Sequence, residues 1–259
     1  MSESTPATAA TTTTTTTDEI VDRLTATYPG SVFVTTEEGL IVVRRPTPDE
    51  AIRLEDAVST LTDLSKGLNP YAGLDDVKPL VVFPSQDRIE ELLQSYPALF
   101  DQLVNLVRHA ACRGAAPKLE LSPLTDDELY VKEGPASENG AYPKRSGGRI
   151  FAVNHFTMEP SVTEGKPPVK KTIARYLFRR FGLIEHREFL KELEASGFVN
   201  GTGNRVPRNS TLAKIARGHV VTSPNTSVPD WNEHPYLLIL LGQAVKDESR
   251  VKTGTSSGK

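Results

Sequence analysis

Ile41–Val58 reads IVVRRPTPDEAIRLEDAV and changes character at its middle. The β-branched run at its start suits a strand. Pro46 has no N–H for a ladder and holds Arg45 in extended geometry, so that strand ends there. Thr47 then fits an N-cap, Pro48 the first helical position, and Glu50 completes a Thr-x-x-Glu capping box. Ala51, Leu54, Val58 and Leu61 follow at helical spacing, with Gly67 as the stop. The stretch predicts an abrupt strand-to-helix junction.

Working outward, SVFVTTEEGLIVVRRPT holds two β-prone runs around TTEEG, a hairpin that turns at Gly39. Ahead of it, a short helix from Asp18 carries Ile20, Val21 and Leu24 on one face and stops at Pro29-Gly30. Downstream, the apolar run Leu80 to Phe83 ends at Pro84. Ser85 caps a helix bearing Ile89, Leu92 and Leu93, and Pro97 opens another bearing Leu99, Leu103, Leu106, Val107 and Ala110 before Gly114.

Beyond Gly114 the periodicity weakens. EGPASENGAYPKRSGGR is rich in Gly, Pro and Ser, and residues 115–168 read as a loop or linker region with one strand, RIFAVNHFTM, inside it. KKTIARYLFRRF, Lys170–Phe181, shows Ile173, Tyr176, Leu177 and Phe181 at helical spacing, with Lys171, Arg175 and Arg179 on another face. HREFLKELEASGF predicts a second helix with Gly197 as C-cap, Ser210 a cap for a third, and Pro235–Val245 a final apolar helix.

The expected organisation is α+β: a Thr-rich disordered tail over 1–17, an acidic hairpin-plus-helices unit over 18–114, the loop region, a mainly helical basic unit over 169–246, and a polar tail over 247–259. Charge follows the same division. Met1–Cys112 holds 8 Lys and Arg against 17 Asp and Glu, and Arg113–Lys259 holds 22 against 16, so the halves carry −9 and +6. Opposite charges let the halves meet each other or meet different partners.

The order hairpin, RRPT, helix, VVFPS, helix, YPAL, helix resembles the small tail assembly chaperones of tailed bacteriophages. The matching residues are Arg45, Pro46 and Thr47, then Val81, Val82, Phe83 and Pro84, then Tyr96, Pro97, Ala98 and Leu99, over roughly Asp18 to Cys112. The resemblance implies a non-enzymatic protein that binds apolar segments of the tape measure protein while the tail tube polymerises, in the cytoplasm of an infected bacterium. Exposed members of the face Leu99, Leu103, Leu106 and Val107 would be its contact residues, although most of that face should be core. The basic extension after Gly114 departs from that compact pattern and fits equally a virion structural protein.

The alternative draws on the basic half. Lys166–His219 carries 12 basic and 4 acidic residues. On a helix, Lys171, Arg175, Arg179 and Arg180 would form either a solvated face or a phosphate-backbone contact surface whose binding weakens with salt.

Catalytic and metal chemistry have no signature. The five histidines show neither H-x-x-x-H nor H-E-x-x-H spacing, and one cysteine makes neither a disulfide nor a zinc knuckle. NGTGNR lacks a phosphate-loop pattern, and His109 with Cys112 lacks an oxyanion hole. No cofactor is expected. YLLILLGQAV, Tyr236–Val245, is too short for a bilayer span, so no membrane partner is expected.

Overall fold

The computed structural model describes residues 16–63, 69, 72–112, 117–128, 149–159, 167–221, 226–230 and 235–249. The fold is α+β, with an N-terminal hairpin. Helix α1 (Thr17–Thr27) leads to strands β1 (Val32–Thr36) and β2 (Gly39–Val43), then α2 (Pro48–Ser59). Next come the short α3 (Leu74–Val77), β3 (Val81–Phe83), α4 (Gln86–Ser95) and α5 (Leu99–Ala111). The second half runs β4 (Lys118–Ser122), β5 (Ile150–Glu159), β6 (Val169–Arg179), α6 (Leu183–Ser196), β7 (Phe198–Val199), β8 (Arg205–Val206), α7 (Asn209–His219), β9 (Val220–Val221) and α8 (Pro235–Glu248).

The junction that opens the sequence forms as its residues dictate. The Thr47 hydroxyl accepts from Glu50 N, and Glu50 Oε2 accepts from Thr47 N at 2.8 Å. Arg44, the residue after β2, donates to both oxygens of Glu50 at 2.7 and 3.0 Å. That guanidinium holds the Glu50 carboxyl down at about 2. Strand, turn and helix are thereby joined by one carboxylate.

The first unit is a three-stranded antiparallel sheet, β1-β2-β3, with Ile41, Val43 and Val81 packed against Leu54, Leu103, Val104 and Val107. Val32 and Val34 add to that side of the sheet, whereas alternation turns Phe33 and Thr35 to the opposite face. Helix α1 lies against β2, half-buried through Ile20, Val21 and Leu24. It begins one residue before the expected Asp18, with Thr16 as its N-cap. The rest of the expected Thr-rich tail, the expected helix stop at Gly67, most of the linker and the end of the C-terminal tail lie outside the described residues.

The second unit corrects the sequence reading. Val169–Arg179 is strand, not helix, and it is central to a four-stranded antiparallel sheet ordered β4-β5-β6-β9. Its apolar residues fit both periods. In strand register, Ala174, Tyr176 and Phe178 share one face and Arg175, Leu177 and Arg179 the other. Pairing with β5 over its full length decides between them, since Phe151 lies opposite Phe178 and Val153 opposite Tyr176. The expected strand RIFAVNHFTM is β5, while β4 lies in sequence read as loop.

One face of this sheet carries the second core: Phe151, Val153, Tyr176 and Phe178 against Leu212, Ile215, Leu237, Leu238 and Leu241 of α7 and α8. The NGTGNR turn closes the small β7-β8 hairpin.

Helix α2 belongs to both units. Leu54 enters the first core and Ile52 the second. Its acids reach the basic half: Asp56 accepts from Asn209 N at 2.5 Å and from Ser210 N at 3.2 Å, and Asp49 pairs with Arg217 at 3.0 Å. Just beyond the helix, Asp63 accepts from Val199 N at 3.3 Å. The expected cap of α7, Ser210, is inside the helix. The Asp56 carboxylate of α2 occupies the positive end of α7 instead.

Candidate protein-binding site

Among the described residues, three of the four residues singled out on α5 are core. Leu99, Leu103 and Val107 are buried, and Leu106 alone is half-buried. The stripe fills the space beneath the sheet, so it offers a partner almost nothing. Of the expected contact face, Leu106 is the member left partly exposed.

Open apolar surface lies instead on both sides of the corner between α4 and α5. Helix α4 ends because Tyr96 leaves helical geometry, its N–H still bonded to Leu92 O at 2.7 Å, and Pro97 follows. Residues 97 and 98 turn the chain, and α5 starts at Leu99, two residues after the expected Pro97. The half-exposed Tyr96 ring donates its hydroxyl to Glu38 at 2.7 Å, and Arg88 reaches the same carboxylate at 3.1 Å. Glu38 in the hairpin turn therefore fixes the corner from below, and the acceptor raises the Tyr96 pKa.

On one side, Leu74, Lys78, Glu90, Leu93, Gln94, Pro97 and Phe100 enclose a groove of about 530 Å³. Its floor is apolar, with Leu93 and Phe100 packed on the core below, and the Lys78–Glu90 ion pair at 2.7 Å forms one rim. On the other side, a smaller cleft of about 260 Å³ lies between the hairpin turn and Leu92, Tyr96 and Leu99. Through Gln102 it continues into a shallow trough of about 670 Å³ between β1 and the Leu106 and His109 turn of α5. Sequence periodicity marks Leu93 as apolar but gives no signal for Leu74 or Phe100, because the groove is made by three helices meeting.

Strand β6 disposes of the basic residues differently from a helix. Lys171 pairs with Glu159 at 2.9 Å, and Arg179 with Glu185 at 2.6 Å. Arg180 pairs with Glu248 at 3.0 Å. Arg175 is bound to the buried Glu128 through two 2.7 Å bonds, to Asn154 at 3.1 Å and to Pro123 O at 2.7 Å. The four therefore lie at separate points of one sheet, each against a carboxylate, rather than on a shared helical face. Arg179 holds the Glu185 carboxyl at about 2, and Arg175 lowers that of Glu128.

Cys112 and His109 open onto different places. The thiol lines a pocket of about 290 Å³ with Glu55, Arg108 and Tyr236, whereas His109 borders the trough beside β1. Burial pushes the Cys112 thiol up, which opposes thiolate chemistry. Among the described residues no group of three or more His, Cys, Asp or Glu is placed to hold a metal, and no helix is long and apolar enough to cross a membrane.

No family model, no curated protein and no solved structure matches this chain.

Proposed function

We propose that the protein is a non-enzymatic assembly factor of the tail-chaperone kind. It holds an apolar segment of a tape-measure-like protein across the α4–α5 corner while the tail tube assembles in the host cytoplasm. The observation that carries this reading is the position of the Tyr96–Leu99 motif, which forms the ridge between two open grooves with apolar floors. An amphipathic helix laid in such a groove buries its apolar face, a common mode of segment recognition. Glu37, Glu38, Glu91 and Asp101 are exposed around the corner, and the unit as a whole is acidic. The segment it suits therefore carries Lys or Arg beside its apolar stripe.

The basic half supports this reading over nucleic-acid binding, because the guanidinium groups of Arg175, Arg179 and Arg180 already face carboxylates. Co-expression with a coiled-coil-rich tape measure protein is the test. The expected result is a larger soluble fraction of that protein, lost on Gln94→Arg, which places charge and bulk in the larger groove. Equal solubility with and without this chain overturns the reading.

A further inference from the structure

Every sheet edge invites another strand, and folded proteins blunt their edges with charge, proline, bulges or brevity. Among the described residues the other edges of the two larger sheets are blunted. β3 is three residues long and runs into Pro84, β4 carries Lys118 and Glu120, and β9 has two residues. β1 is the exception. Val32–Thr36 reads VFVTT, with no charge and no proline, pairs with β2 in unbroken register, and exposes Phe33 by 55%.

The register also says which groups face outward. Thr36 pairs with Gly39 across the hairpin turn, so Thr36, Val34 and Val32 exchange hydrogen bonds with β2. The amides and carbonyls of Phe33 and Thr35 then point away from β2, toward the open edge.

We infer that β1 pairs antiparallel with β1 of a second copy of this chain, joining two three-stranded sheets into one of six strands across a two-fold axis at Val34. In that register Phe33 of each copy lies opposite Thr35 of the other, and the two pairs exchange four backbone hydrogen bonds. Charge distribution favours a second copy over an unrelated strand. Glu37, exposed in the hairpin turn, makes that turn acidic and adjoins one end of β1. At the other end Arg45 follows β2, its side chain 3.5 Å from the position of a Cβ on Gly30. The two-fold axis brings each acidic turn to the other copy's Arg45 end. It also brings the two α5 helices together over Val34, where Leu106 lines the trough. This inference does not depend on the α4–α5 grooves.

Sedimentation of the full chain over a wide concentration range, with amide exchange at each concentration, is the test. A dimer is expected, with the Phe33 and Thr35 amides protected in proportion to the dimer present. Thr35→Lys, at an exposed position, should weaken association by about tenfold or more. Thr35→Pro should do the same, because the lost N–H serves no bond within the sheet. Unchanged circular dichroism shows that both variants are folded. A monomer at every concentration overturns the inference, as does a dimer that survives both variants or leaves the two amides unprotected. A monomer whose β1 amides become protected only on adding an extended peptide also overturns it, and gives the edge to a different chain.

Discussion

The Tyr236 hydroxyl donates a 2.9 Å hydrogen bond to Glu55, a residue 181 positions earlier in the chain. The same carboxylate accepts from Arg108 at 2.7 and 3.0 Å, so one acid on α2 ties together α5 and α8. Burial first, and then the negative charge of Glu55, push the Tyr236 pKa far up, so the phenol remains a donor throughout the ordinary pH range. Removing the hydroxyl with Tyr236→Phe should cost about 1 kcal/mol. Glu55→Ala strands both donors and should cost about 2 kcal/mol or more. Urea unfolding of the two variants and the double variant measures the coupling, and additive losses would show that Tyr236 and Glu55 do not act together.

Close approach of α7 and α8 gives a second prediction. A Cβ at Gly242 would sit 1.9 Å from Leu212 O, a backbone atom that cannot swing aside. On an exposed helical site Gly→Ala gains about 1 kcal/mol. Here Gly242→Ala must push the helices apart and should lose about 3 kcal/mol, read as a lower thermal midpoint.

Arg175 and Lys171 should behave differently although both are basic residues of β6. Glu128 is 3% exposed at its side chain, so Arg175→Met leaves a buried carboxylate without its cation and should cost about 3 kcal/mol. Lys171→Met breaks a pair that is more than half exposed on the Lys side and should cost about 0.5 kcal/mol or less. Equal losses in denaturant titrations would remove the buried pair from the account.

Leu103→Ala tests whether the α5 stripe is core. Its side chain is fully buried, so the truncation should cost about 3 kcal/mol and lower soluble yield. Gln94→Arg, at an exposed groove position, should leave the unfolding midpoint unchanged while abolishing partner solubilisation. A stable Leu103→Ala protein that has lost only binding would return the stripe to the binding surface.

Stability should fall in two stages on acidification. His219 sits with its ring 5.0 Å from Phe181, its Nδ1 2.9 Å from Ile215 O, and Glu185 and Arg179 around it. Burial lowers its pKa below the ordinary 6.5. The unfolded chain therefore takes up this proton first, so stability is complete above about pH 6.5 and declines below it by at most about 1.4 kcal/mol per pH unit. Glu50 and Glu185, both held at about 2 against an ordinary 4.5, stabilise the fold above that value and lose their contribution as pH falls toward 2. His219→Gln should remove the first decline from a plot of thermal midpoint against pH and leave the second.

The hairpin, the junction at Thr47 and the helices between Pro48 and Ala111 are legible in the sequence because their causes are local. A proline without an N–H, a capping hydroxyl and an apolar residue every three or four positions act within a single turn of chain. The same locality misleads at Val169–Arg179, where Ile173, Tyr176, Leu177 and Phe181 match a helix and β5, twenty residues earlier, makes a strand. The candidate site was legible only as a motif. Tyr96–Leu99 marks the corner, but Leu74 and Phe100 border a groove that exists only once α3, α4 and α5 are packed.

By itself, then, the sequence determined the α+β class, the caps and turns of the first unit, and the opposite charges of its halves. Tertiary structure decided where those charges go. Asp49 and Asp56 of α2 meet Arg217 and the start of α7, and each basic residue singled out on β6 or just after it meets a carboxylate. Side-chain spacing along one element sets its local conformation, whereas the partner of a charge or an apolar face is chosen by segments that folding brings together from far along the chain.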